Sequence, residues 1–76
     1  MHAVVGQFRI EVGHTYSPTA PDASKPWRAS ARIYHRGART PIRIVGPTRW
    51  FSTDQAADEA AVRAGVDIAL TLQPDK

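Results

Sequence analysis

Residues Phe51 to Leu72, FSTDQAADEAAVRAGVDIALTL, carry a complete helix signal, and the rest of the chain must fold to suit it. Ser52 is a favourable N-cap, and Gln55 three residues on can reach back to close a capping box. Phe51 and Ala56 stand where a hydrophobic staple would hold the entry, and Asp54 sets negative charge on the positive end of the helix dipole. The pattern predicts a helix over 53–71. At about 100° per residue, Ala57, Ala60, Ala61, Ala64, Ile68 and Leu72 fall on one stripe. Most are small, so the helix is expected to lie close to a sheet, with Ala61 and Ala64 at the nearest approach, where a larger side chain would overpack. Val62, Val66, Ala69 and Leu70 fall roughly opposite, on a second apolar stripe. Gly65 interrupts the helix at a cost of about 1 kcal/mol relative to Ala. Either it admits a bulky neighbour such as Trp50, or it is neutral.

Three strands are expected before the helix. From Val4 to Val12 the even positions Val4, Phe8, Ile10 and Val12 are apolar while Gln7, Arg9 and Glu11 are polar, the period of a half-buried strand over 3–12. Trp27, Ala29, Ala31 and Ile33 repeat the pattern over 27–35, with Arg28, Ser30, Arg32 and Tyr34 outward. A third strand over 41–46 turns Ile42 and Ile44 inward and Arg43 outward, with Pro41 tolerable at its start. The short segment 36–40 carries Gly37 and predicts a hairpin. Residues 13–26, rich in Pro, Ser, Gly and Thr, predict a long loop. If Val12 faces Trp27 and His35 faces Thr40, Ile33 meets Ile42, Ala31 meets Ile44, and every inward residue shares a face. The expected fold class is α+β: a single domain, 1–76, built as a three-stranded antiparallel β-meander with one C-terminal α-helix packed across one face, β-β-β-α.

At 76 residues such a domain buries only about 60% of the surface its unfolded chain exposes, which argues against a large catalytic cleft. The absence of Cys removes disulfides, thiolate metal sites and thiol catalysis together. No apolar run is long enough to span a bilayer, and residues 1–12 lack the regions of a signal peptide, so the chain is expected to be cytoplasmic and away from membranes. His2, His14 and His35 lack metal-ligand spacing. The expected register brings His2 near His35, with no carboxylate assigned between them, and leaves His14 at the far end of the sheet. Glu11 and Asp22 form no acid–base pair, and Ser17, Ser24 and Ser30 lack a nucleophile context. The pattern therefore implies no enzyme, no metal, no cofactor and no small-molecule substrate.

What remains is surface. The basic residues are eight Arg (9, 28, 32, 36, 39, 43, 49, 63) and two Lys (25, 76), for a formal net charge of +3. The bias to Arg suits planar anion recognition, although coding composition produces it as well. The expected registers put Arg9 beside Ser30, Arg28 beside Glu11 and Arg32 beside Arg43, so Arg9, Arg28, Arg32 and Arg43 share the solvent face of the sheet, with a repulsive Arg32–Arg43 pair. Asp54, Asp58, Glu59 and Asp67 make the helix acidic. Two functions are consistent with this layout. The leading one is a non-enzymatic interaction module that binds a second copy or another protein through Val62, Val66, Ala69 and Leu70 or a sheet edge. The other is binding of an anion or nucleic acid by the Arg face.

The β-β-β-α order, with Phe51-x-Thr53 leading into Asp58-Glu59-Ala60 and then Ala61, Ala64 and Ile68, resembles a class of short uncharacterised bacterial domains. It is similar in layout to the N-terminal domain of HicB-type antitoxins and to the β-β-β-α part of double-stranded-RNA-binding domains. The resemblance covers residues 3 to 72 and implies the same sheet-and-helix fold. Two features depart from it: the Pro-Asp-x-Pro-Gly-Cys segment of the antitoxins is missing, and Ser52-Thr53-Asp54-Gln55 replaces the Lys-rich helix start of the RNA-binding domain. An acidic helix start repels phosphate, so that family's RNA-binding mode does not carry over.

Overall fold

A computed structural model of the chain describes residues 1–47 and 49–73; Lys76, counted above among the basic residues, lies outside the described residues. The elements are β1 (His2–Val5), β2 (Phe8–Tyr16), β3 (Trp27–His35), β4 (Arg43–Val45) and α1 (Asp54–Leu72), with an antiparallel sheet in the order β1-β2-β3-β4 and the helix on one face. The class is α+β, as the sequence predicts, but the sheet has four strands instead of three. No described helix is long and apolar enough to cross a membrane.

The extra strand comes from a two-residue turn at Gly6-Gln7 inside the segment expected as one strand. Gly6 has φ +56°, the left-handed conformation such a turn favours in glycine. The turn pairs Val5 with Phe8 and Ala3 with Ile10. Cross-strand partners share a face, so an odd position now sits with an even one, and the inward residues of β1 are Ala3 and Val5. Val4, expected inward, is 64% exposed.

Between β2 and β3 the register differs from the expected one by four residues. Val12 faces Ala31, and Tyr16 faces Trp27. An even displacement preserves faces. Phe8, Ile10, Val12, Ala29, Ala31 and Ile33 therefore still form the helix side, but β2 runs on to Tyr16 and the loop begins only at Ser17. Between β3 and β4 the displacement is a single residue, and one residue reverses every side chain. Ile33 faces Arg43, Arg32 faces Ile44 and Ala31 faces Val45. The turn closes through the Ala38 N–H to the His35 carbonyl at 3.0 Å; Ile42 donates its N–H to the Ile33 carbonyl at 2.7 Å, and the paired ladder begins one residue later, at Arg43 opposite the same Ile33. Val45 thus joins the core, while Ile42 and Ile44, expected inward, stand 45% and 62% exposed.

The helix begins one residue later than expected. Thr53, not Ser52, is the N-cap: its Oγ1 accepts the Ala56 N–H at 3.1 Å. The Gln55 amide does not close a capping box but reaches forward to Glu59 Oε2 at 3.4 Å. Thr53→Ala is accordingly expected to cost about 0.5 to 2 kcal/mol, and Ser52→Ala less than about 0.5 kcal/mol, as read from urea midpoints. Equal losses would return the cap to Ser52.

The face that meets the sheet is Ala57, Ala61, Gly65 and Ala69, all fully buried. This is rotated from the expected stripe: Ala60 and Ala64 are only half-buried, and Ala64 lines a surface groove. Ala29, Ala57 and Ala61 pack with Trp27 and Phe51 at one end; Phe8, Ile10, Ala31, Ile33 and Ala69 form the other, with Val66, Ile68 and Leu72 against them. Gly65 is explained by the sheet and not by Trp50. A Cβ added there would stand 2.8 Å from Ile10 Cγ2 and 3.1 Å from Ala31 Cβ.

Candidate functional site

The helix covers one side of the sheet, so the chemistry available to a partner lies on the other. Across that open face the pairings give two cross-strand rows. In the first, Val4 pairs with Arg9 and Arg9 with Tyr34. In the second, His2 pairs with Glu11, Glu11 with Arg32 and Arg32 with Ile44. The Arg9 guanidinium lies over the Tyr34 ring, 4.4 Å from its centroid, and its Nε is 3.1 Å from Glu11 Oε2, off hydrogen-bond geometry. Arg9 thereby covers an aromatic ring on an uncovered sheet, and Tyr34 is only 8% exposed.

Of the four Arg predicted to share this face, the structure brings together three. Arg9 pairs with Tyr34 and not Ser30, Arg28 with Thr15 and not Glu11, and Arg32 stands between Glu11 and Ile44. The one-residue slip of β4 moves Arg43 to the helix side, opposite Ile33 at the sheet edge, so the Arg32–Arg43 repulsion does not arise.

The predicted association stripe is not one surface either. Ala69 is buried in the core, Val66 packs against that core, Val62 is half-buried, and only Leu70 is exposed. The apolar surface the sequence reading missed is Val4 and Ile44 on the open face, with Ile42 exposed just before β4.

Two further clusters depend on pairings between distant segments. His14 sits on the extended end of β2, with Nδ1 3.0 and 2.9 Å from the two carboxylate oxygens of Asp58 and Nε2 3.8 Å from Asp54 Oδ2. Its ring meets Trp27 edge-on at 5.4 Å. This joins the acidic helix start to the far end of the sheet. His2 and His35, expected as neighbours, are apart: His2 pairs with Glu11, and His35 lies against Phe8 at 4.9 Å. Among the described residues no group of three His, Asp or Glu side chains could hold a metal ion.

The second cluster lies where Phe51 bridges to Trp27 through reciprocal hydrogen bonds of 3.0 and 2.6 Å. That bridge sets Trp50 beside Arg28, whose guanidinium is 4.4 Å from the indole centroid; Arg49 lies over Phe51 at 5.6 Å. A pocket of about 310 Å³ opens there, lined by Lys25, Arg49, Trp50, Phe51 and Ser52. On the helix side, Arg49 and Phe51 also border a groove of about 470 Å³ with Glu59, Arg63, Ala64 and Asp67. No family model, no curated protein and no solved structure matches this chain.

Proposed function

We propose that this protein is a non-enzymatic association module whose open sheet face joins that of a second copy. The observation that carries this is the self-complementarity of the two rows. A two-fold axis running along the strands between β2 and β3 lays each row over its own reverse. Arg9 then meets Tyr34 of the other copy, Glu11 meets Arg32, and His2 meets Ile44. Acid opposes base, and a guanidinium opposes an aromatic ring, across a sheet-on-sheet spacing of about 10 Å. The exposed aliphatics Val4, Ile42 and Ile44 supply burial, and the Arg–Tyr pairs are of the kind enriched at interface centres. Binding of an anion over the whole face is less well served, because Glu11 sits at its centre.

Charge reversal tests the pairing directly. Glu11→Arg sets Arg against Arg32 twice in the pair, and Arg32→Glu sets Glu against Glu11 twice, so each variant alone is expected to be monomeric by light scattering. Mixed together they are expected to form a heterodimer, since each contact between the copies at positions 11 and 32 again joins opposite charges. A wild type that stays monomeric at the highest concentration reached, or variants that dimerise alone as well as in mixture, would overturn the proposal.

A further inference from the structure

We infer that Gly13 is a specificity-determining residue of the open sheet face, bare of a side chain so that a second copy can seat against it; this rests on the face-to-face association proposed above and extends it. The chain has five glycines, and the fold itself accounts for the other four. Gly6, Gly37 and Gly46 have φ of +56°, +80° and +104°, where a Cβ is disfavoured. Gly65 lies too close to Ile10 and Ala31 to carry one. Neither reason applies to Gly13. Its φ is not positive, and a Cβ added there would meet nothing within 4 Å.

The position is one where a side chain would be expected. Gly13 lies inside β2, directly opposite Ser30 of β3. A strand interior favours β-branched and aromatic residues, and a glycine there weakens the strand. Such a glycine marks a bulge, a bend, or a place where another backbone or a ligand approaches closely. The pairing of β2 with β3 runs without a bulge from Phe8 to Tyr16, so the close approach remains. Parity gives its side. Glu11, Gly13 and Thr15 share one face of β2, opposite Arg32, Ser30 and Arg28 of β3, and that is the face the helix leaves open. Gly13 and Ser30 therefore form a low row between the Glu11–Arg32 row and the Thr15–Arg28 row.

The occupant that fits this row is a second copy. The two-fold axis that sets Glu11 against Arg32 of the other copy also sets Gly13 against Ser30 and Thr15 against Arg28, so neither added row opposes like charges. A low row facing a low row lets the sheets lie closer there than the about 10 Å of ordinary sheet packing. A larger side chain at either position would hold them apart.

Gly13→Val tests this by light scattering and urea unfolding. The two-fold repeats the clash in the pair, so the dissociation constant is expected to rise at least about thirtyfold, two overpacked contacts at the lower end of their cost. The urea midpoint of the single copy, measured in the Glu11→Arg background, is expected to stay the same or rise, because valine suits an open strand position better than glycine. Ser30→Leu is expected to weaken association in the same way, and it decides if Gly13→Val does not fold. A lower midpoint for Gly13→Val in that background would overturn the inference, because the glycine would then serve the fold. So would unchanged association of both variants beside a wild type that dimerises and a Glu11→Arg variant that does not; the association proposal would then stand alone. A wild type that stays monomeric, or a Glu11→Arg variant that still dimerises, overturns both.

Discussion

Gly65→Ala is expected to destabilise the protein by about 1 to 2 kcal/mol, although alanine is the better helix residue. The new Cβ would stand 2.8 Å from Ile10 Cγ2 and 3.1 Å from Ala31 Cβ, and Ile10 is wholly buried, so neither neighbour has free space to move into. Overpacking costs about 1 to 3 kcal/mol, and replacing a helical glycine returns up to about 1. The sign is thus set by the sheet and not by helix propensity. A double-mutant cycle isolates the clash. Ile10→Ala alone is expected to cost about 2 to 5 kcal/mol. In that background the added methyl meets only Ala31, and Gly65→Ala is expected to become neutral or stabilising, a coupling of about 1 to 3 kcal/mol. Urea unfolding of the four proteins measures it. A higher midpoint for Gly65→Ala in the otherwise unchanged protein would mean that the helix lies further from the sheet.

Ile33→Ala and Ile44→Ala are expected to separate widely. Ile33 is fully buried between β2 and the helix face, and its truncation is expected to cost about 2 to 5 kcal/mol. For a domain of 76 residues that is a large part of a total stability of about 4 to 11 kcal/mol. Ile44 is 62% exposed on the open face, and its truncation is expected to change stability by less than about 0.5 kcal/mol. Both are best measured in the Glu11→Arg background, which removes the proposed association. Equal losses would restore the register in which Ile44 meets Ala31.

That register shows why parts of the fold were legible and parts were not. β3 spans 27–35 as expected, because its alternation is clean and central, and the helix occupies Asp54–Leu72 against an expected 53–71. The turn at Gly6-Gln7 was hidden because Val4 and Phe8 are both apolar and both even, so the pattern runs unbroken through a point where the chain reverses. For β4, two registers one residue apart each place an aliphatic against Ala31, Ile44 in one and Val45 in the other. Periodicity cannot choose between them; the pairing of Ala31 with Val45 in the folded sheet does. In the helix, Ala occurs on almost every side, so the buried line is identified by Gly65, whose meaning appears only when Ile10 and Ala31 are placed opposite it. The candidate sites suffered most from the same cause. Trp50 reaches Arg28, and His14 reaches Asp58, only through pairings between distant segments.

The edge at β4 has a consequence for what the molecule avoids. With three residues, Pro41 just before it and Arg43 at its start, this strand offers an incoming chain a very short row of free N–H and C=O groups. Short edges carrying proline and charge frustrate the strand-by-strand growth that leads to fibrils. A chain with Val4, Ile42 and Ile44 in the open would otherwise be at risk of aggregation. Because this edge is blunt, the two-fold face-to-face contact proposed above would be complete after one partner, without strands adding at β4.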